Sequence, residues 1–131
     1  MRLTKFNLTI GTQLMKALGD EARLRILNLL LNKGAMTISD LEHVLNFTQT
    51  KTSRHISYLK NSEILVAQKL DQWVVYAIKE EVYEVIIQFM NFVEKDTVLL
   101  QDLDIYSTLF NNRELAQNKI STHRWKAIKT I

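Results

Sequence analysis

Apolar residues recur at helical spacing along the first half of the chain, and the pattern breaks at Gly19, at Gly34 and in the tetrapeptide NFTQ at 46–49. The spacing predicts a first helix from about Thr4 to Leu18. Asp20 then suits an N-cap, because its carboxylate can accept an N–H that the first helical turn leaves orphaned. In DEARLRILNLLLNKG, Ala22, Leu24, Ile26, Leu27, Leu30 and Leu31 give a broad apolar face, and Gly34 supplies the left-handed stop. Thr37 and Asp40 of TISD match a capping box, opening a third helix whose apolar residues are Ile38, Leu41, Val44 and Leu45. After a short break Thr48 caps a fourth helix, residues 49–61. With successive residues about 100° apart, Thr52, Ile56 and Leu59 fall on its inner side. Thr50, Ser53, Arg54 and Ser57 fall on the outer side, with Lys51 on the flank.

The period then changes from helical to alternating. ILVAQKLDQWVVYAI reads as two strands around Asp71-Gln72, a hairpin without a turn glycine. EEVYEVIIQFMNFVEKD returns to helical period with Val82, Val85, Ile86, Phe89 and Val93 on one face. Tyr83, Ile87, Met90 and Phe92 make that helix apolar almost all round, which predicts a partner chain in so small a protein. Two further helical segments are expected in TVLLQDLDIYSTLF and RELAQNKISTHRWKAIKTI. The organisation expected is a mainly α fold with one β-hairpin: a domain over 1–96 and a helical extension over 97–131.

Composition narrows the class. The 131 residues contain no cysteine, which removes disulfides, thiolate nucleophiles and cysteine metal sites. No segment has the length of roughly 18 apolar residues needed to span a bilayer, and the N-terminus lacks a signal-peptide core. A cytoplasmic protein is expected. Three glycines, no proline and no HExxH, GxSxG, Walker A or GxGxxG motif argue against an enzyme and against a bound cofactor. The acid pairs Glu80-Glu81 and Asp102/Asp104 read as a helix N-terminus and a solvated face.

Net charge is only +3, but its distribution is uneven. No carboxylate occurs from His43 to Ser62, nor after Glu114, where Lys119, Arg124, Lys126 and Lys129 stand. The fourth helix therefore offers a small, hydroxylated and cationic face. Such a face can approach a DNA groove closely, and arginine and glutamine offer the paired donors that base edges read. Two helices joined by a tight turn, followed by a hairpin, form a winged helix-turn-helix arrangement.

Specific motifs agree. LMKALGDEARLRILNLL resembles the opening of the ArsR/SmtB repressors, which typically reads ALADPTRLRIL, and LNFTQTKTSRHISYLKNSEIL resembles their LGLSQSTVSRHLKVLREAGLV. WVVYAI is similar to their wing strand, so the likeness runs from about Leu14 to Ile78. The resemblance implies a dimeric regulator whose first and last domain helices form the dimer. It implies that Gln49, Thr50, Ser53 and Arg54 face the major groove, with the wing tip from Lys69 to Gln72 at the minor groove. The chain departs from the family at three glycines, replaced by Asn46, Glu63 and Asp71. It departs again at the family's CVC metal motif, which is Thr37-Ile38-Ser39, and at a second family metal site, which is Glu80, Val82, Val93 and Asp96. No metal is expected.

The resulting expectation is a homodimeric, sequence-specific regulator of the repressor kind, bound to double-stranded DNA at an inverted repeat. Its candidate contacts are Thr48, Gln49, Thr50, Lys51, Ser53, Arg54, His55, Ser57, Lys60, Lys69 and Gln72. His55 lies nearer the buried edge of the helix, so a packed ring and a DNA contact both stand open for it. The alternative function is a dimeric winged-helix module that docks another protein. The extension is expected to enlarge the dimer interface through Val98–Leu100, Leu103, Tyr106, Leu109 and Phe110. No pattern names an effector.

Overall fold

The computed structural model describes residues 6–120. Helix α1 (Leu8–Leu18) starts later than expected because Asn7, not a residue near Thr4, caps it: the Asn7 side chain accepts from Ile10 N at 2.9 Å. Helix α2 (Glu21–Lys33) is capped by Asp20, which accepts from Arg23 N. Gly34 ends it with φ 82° and ψ −166°, a positive φ but not the left-handed helical pair, and a region open essentially to glycine. Helices α3 (Ile38–Leu45) and α4 (Gln49–Asn61) follow, then strands β1 (Leu65–Leu70) and β2 (Trp73–Ile78). Helices α5 (Glu80–Met90) and α6 (Thr97–Asn111) and a short 3-10 turn at Ala116–Asn118 complete the described chain. The last expected helical segment, from Arg113, is corrected over its described part: residues 113–120 form turns around one 3-10 turn at Ala116–Asn118, and the remainder lies outside the described residues. Among the described residues no helix is long and apolar enough to cross a membrane.

Ile26, Leu27, Leu29, Leu41, Ile56, Leu59 and Ile64 form the middle of one apolar cluster and are fully buried. The wing is antiparallel, with Leu65 opposite Ile78 and Leu70 opposite Trp73, as the alternation predicts. A contact the pattern did not show lengthens it. Met36, just before α3, exchanges both backbone hydrogen bonds with Tyr76, at 3.1 and 2.9 Å. The base of the hairpin is thereby tied to the helix-turn-helix.

The three non-glycine departures from the family pattern all take left-handed backbone: Asn46 at φ 57°, Glu63 at 64° and Asp71 at 56°. For an L-residue other than asparagine or glycine this conformation costs about 1–2 kcal/mol. Glu63 also pairs with Lys79 through an exposed carboxylate. Glu63→Gly and Glu63→Ala both remove that pair, but only glycine relieves the backbone. The glycine variant should therefore be more stable than the alanine variant by about 1 kcal/mol in urea unfolding. Equal midpoints would show that the backbone at 63 is unstrained.

The segment after the wing joins the same core. Val82, Ile86 and Met90 of α5 are buried, whereas Phe92 is 87% exposed and Tyr83 is also exposed. Leu99 and Tyr106 of α6 are buried within the chain, and Leu100, Ile105 and Phe110 are exposed. The partner-facing role expected for Leu99 and Tyr106 is thus corrected: packing on α2 and α3 takes them up. Asp102, expected on a solvated face, is corrected as well. Its carboxylate is buried and accepts from Arg25 Nε and Nη2, each at 2.9 Å, joining α6 to α2.

Candidate nucleic-acid interface

The helix-turn-helix is built by local chemistry. Thr37 Oγ1 accepts from Asp40 N at 3.1 Å and starts α3, and Asn46 ends it in the left-handed conformation. Phe47 N then reaches back to Glu42 O at 3.2 Å. Thr48 Oγ1 accepts from Lys51 N at 3.1 Å, and Thr52 Oγ1 donates to Thr48 O at 2.9 Å, closing the start of α4 from both sides. The reciprocal half of the expected capping box is absent. Asp40 turns away from the Thr37 backbone and accepts instead from Ala116 N and Gln117 N.

Helix α4 presents the face the pattern predicts. Thr52, Ile56 and Leu59 are buried. Thr48, Gln49, Thr50, Arg54, Ser57 and Lys60 are exposed, with Lys51 and Ser53 half-buried. Lys69 and Gln72 are exposed on the wing. Lys51 is not a free arm, since its Nζ stands 4.1 Å above the Phe47 ring.

Of the two readings open for His55, the geometry is that of a packed ring: it is 3% exposed, with Nδ1 3.4 Å from Arg23 Nη1. Burial holds its imidazole below the ordinary value, and the nearby Arg54, Arg23 and Lys51 charges add to this against the opposing pull of Asp20. The ring is neutral at pH 7, consistent with a guanidinium beside it.

Two residues of this region escaped the sequence reading. Arg23 Nε and Nη2 donate to Ala17 O and Lys16 O, at 2.7 and 3.1 Å, closing the C-terminal end of α1. The same guanidinium lies 4.0 Å from the ring centroid of Tyr58, on α4. Tyr58 is exposed and follows Arg54 by one turn. An aromatic among small polar residues at that spacing was the available signal. A cleft of about 410 Å³ between the start of α2 and α4 is lined by Asp20, Glu21, Arg25, Lys51, Arg54 and His55. Two carboxylates therefore bound the cationic face on this side, although none is near it in sequence.

The family's metal chemistry does not fit these residues. Thr37 is buried as a helix cap and its hydroxyl also meets Ser39 Oγ at 3.1 Å, while Ile38 between them has no donor atom. At the second position Asp96 is spent capping α6 through Val98 N, and Val82 is buried.

A helical core, an exposed helix in second place of a helix-turn-helix and a hairpin tied beside it define a winged helix-turn-helix protein. Residues 20–66 match the family model described as bacterial regulatory protein, arsR family. The transcriptional repressor SdpR of Bacillus subtilis is 32% identical over 81 residues, covering 61% of this chain and 89% of the relative. The arsenical resistance operon repressor of Escherichia coli K12 is 39% identical over 70 residues, covering 53% of this chain; the match spans 60% of that relative's length. A solution structure of a homodimeric winged helix-turn-helix DNA-binding domain, Mb0332 of Mycobacterium bovis, superposes with a TM-score of 0.62 at 21% identity, covering 72% of this chain and 88% of that one. The chain belongs to the arsR family of bacterial regulatory proteins.

Proposed function

We propose that the protein is a homodimeric transcriptional repressor that binds an inverted-repeat DNA operator and does not sense metal. The observation that carries this reading is the outer face of α4, where Gln49, Thr50, Arg54 and Ser57 are exposed in a stretch without a carboxylate. Phosphate repels carboxylates, and short side chains let a helix seat deeply in the major groove. The names of the relatives, two of them repressors, support the regulatory role. Exposed apolar residues on or next to α1 and α5, among them Leu8, Met15, Tyr83 and Phe92, support a dimer through those helices. Two copies of α4 would then enter successive major grooves about 34–36 Å apart.

The test is fluorescence anisotropy with DNA from upstream of the protein's own gene against scrambled DNA, across a salt series. Tight, selective binding with a steep salt slope is expected, because phosphate contacts release counterions. Arg54→Ala should relax base preference, with a loss of about 1–3 kcal/mol on the operator, whereas Lys51→Ala should weaken all sequences alike. Equal loss on every sequence would remove Arg54 from base readout. Salt-insensitive or absent binding would favour the protein-docking alternative.

A further inference from the structure

A two-stranded hairpin is marginal by itself and needs an apolar cover. The wing has one on each face, and the two covers come from different parts of the chain. Leu65 and Ile78 pair on one face, at the end away from the turn, and both enter the main core. Lys69 and Val74 continue that face outward and are exposed. The other face carries the pairs Val66–Ala77, Gln68–Val75 and Leu70–Trp73, the last directly beside the Asp71-Gln72 turn. Its cover is a second apolar cluster, apart from the main core, in which Ile120 and Ala35 are buried with Leu70, Val75 and Ala77. Ile120 reaches the wing because residues 115–120 are held on the helix-turn-helix side. Leu115 is buried in the main core. Asp40 of α3 accepts from Ala116 N and Gln117 N at 2.7 and 2.9 Å, and Gln117 Nε2 donates to Lys33 O and Ala35 O, both at 3.3 Å.

We infer that residues 115–120 form a strap that fixes the wing tip against the helix-turn-helix, with Ile120 as the positioning residue for a DNA contact by Lys69. The inference rests on the DNA-binding reading and deepens it. The half of the hairpin away from the turn is fastened without the strap, through Leu65, Ile78 and the backbone exchange between Met36 and Tyr76. Ile120 acts in the other half, where Leu70 borders the turn and Lys69 is its neighbour. Lys69 is a cation suited to phosphate, and a hydrogen bond to phosphate weakens steeply when donor and acceptor are misplaced. With its apolar cover removed, the tip samples more orientations, and binding must first offset the cost of ordering it. The strap touches α3 and the wing rather than the outer face of α4, so base readout by α4 is untouched. Phosphate contacts carry no sequence information, so the strap adds affinity equally on every duplex.

The test is the same anisotropy salt series on full-length Ile120→Ala, alone and combined with Lys69→Gln or with Arg54→Ala. Lys69→Gln should make the salt slope shallower by about 1 per protomer. Ile120→Ala should weaken operator and scrambled DNA alike, by roughly 3- to 10-fold near 0.1 M salt. In the Lys69→Gln background its further effect should shrink below about twofold, while in the Arg54→Ala background it should keep its full size. Ile120→Val, which keeps most of the cover, should bind like the unaltered protein. Hydrogen exchange of DNA-free Ile120→Ala should quicken at Leu70 and Trp73 and leave α1 to α4 protected. The same factor in both backgrounds, or exchange quickened throughout the helices, would make Ile120 a general packing residue and overturn the proposal. Unchanged binding by Ile120→Ala, or by Lys69→Gln, would also overturn it, while steep binding by the unaltered protein would leave the DNA-binding reading standing. If the unaltered protein binds without salt dependence, the DNA-binding reading fails first and the inference falls with it.

Discussion

Arg25→Ala is expected to lower the unfolding free energy by about 3–5 kcal/mol. The reason is the carboxylate left behind. Asp102 has a side chain only 3% exposed, and both of its oxygens are met by Arg25. Among the described residues Arg25 is the side chain that satisfies them. The Asp102 hydrogen bonds also hold the Arg25 guanidinium above its ordinary range, so Arg25 keeps its charge. Removing the guanidinium strands a charge where water does not reach, and the loss exceeds anything an exposed ion pair gives. Arg25 further lies 5.2 Å from the Phe47 ring, at the turn of the helix-turn-helix, so packing is lost as well. The melting temperature should fall by about 10–15 °C, measured at fixed protein concentration. The double variant R25M/D102L should recover much of this, because two apolar side chains leave no charge unpaired. A change below about 1 kcal/mol in Arg25→Ala would mean that the carboxylate finds solvent and that the pair does not fasten α6 to α2.

Asp40→Ala is the second large effect, expected at about 2–4 kcal/mol. Two buried backbone N–H groups, from Ala116 and Gln117, lose a charged acceptor at once, and each hydrogen bond to a charged group is worth about 1.5–3 kcal/mol before the carboxylate's own burial is set against it. That burial is substantial. It raises the Asp40 carboxyl above its ordinary value despite the two N–H groups and the nearby His43 and Lys119 charges. Asp40→Asn keeps one acceptor oxygen, so its stability should lie between the parent and the alanine variant. Hydrogen exchange reads the place of the damage: protection should vanish at residues 115–120 while the helices of the core keep theirs. Retained protection there would sink the latch.

Helix existence, caps and the two faces of α4 were legible because they depend on neighbours three and four residues away. Asp20, Thr37 and Thr48 cap the helices that their spacing announced. Thr52, Ile56 and Leu59 turned inward as the 3.6-residue period requires. The hairpin followed from alternation, with its turn at Asp71-Gln72. Motif likeness also located three positions where glycine would be easier, and each has positive φ.

What the chain alone left undecided are the partners of charged groups brought together from far apart. Asp40 was legible as a box-forming cap, yet it serves residues 76 and 77 positions away. Asp102 looked like surface and is a buried ion-pair member 77 positions from Arg25. Local spacing cannot reveal such pairs, because a carboxylate on a helix stays solvated unless another element happens to cover it. His55 belongs to the same class: its position on the helix left two readings open, and only the approach of Arg23 from α2 fixed it inside. The sequence by itself determined helices α1 to α6, the hairpin and the acid-free outer face of α4, through contacts within a helical turn or a strand pair. The tertiary structure alone decided which charges are buried, which carboxylates border the cationic face, and where the C-terminal chain is fastened, since each depends on the meeting of segments that carry no sequence record of one another.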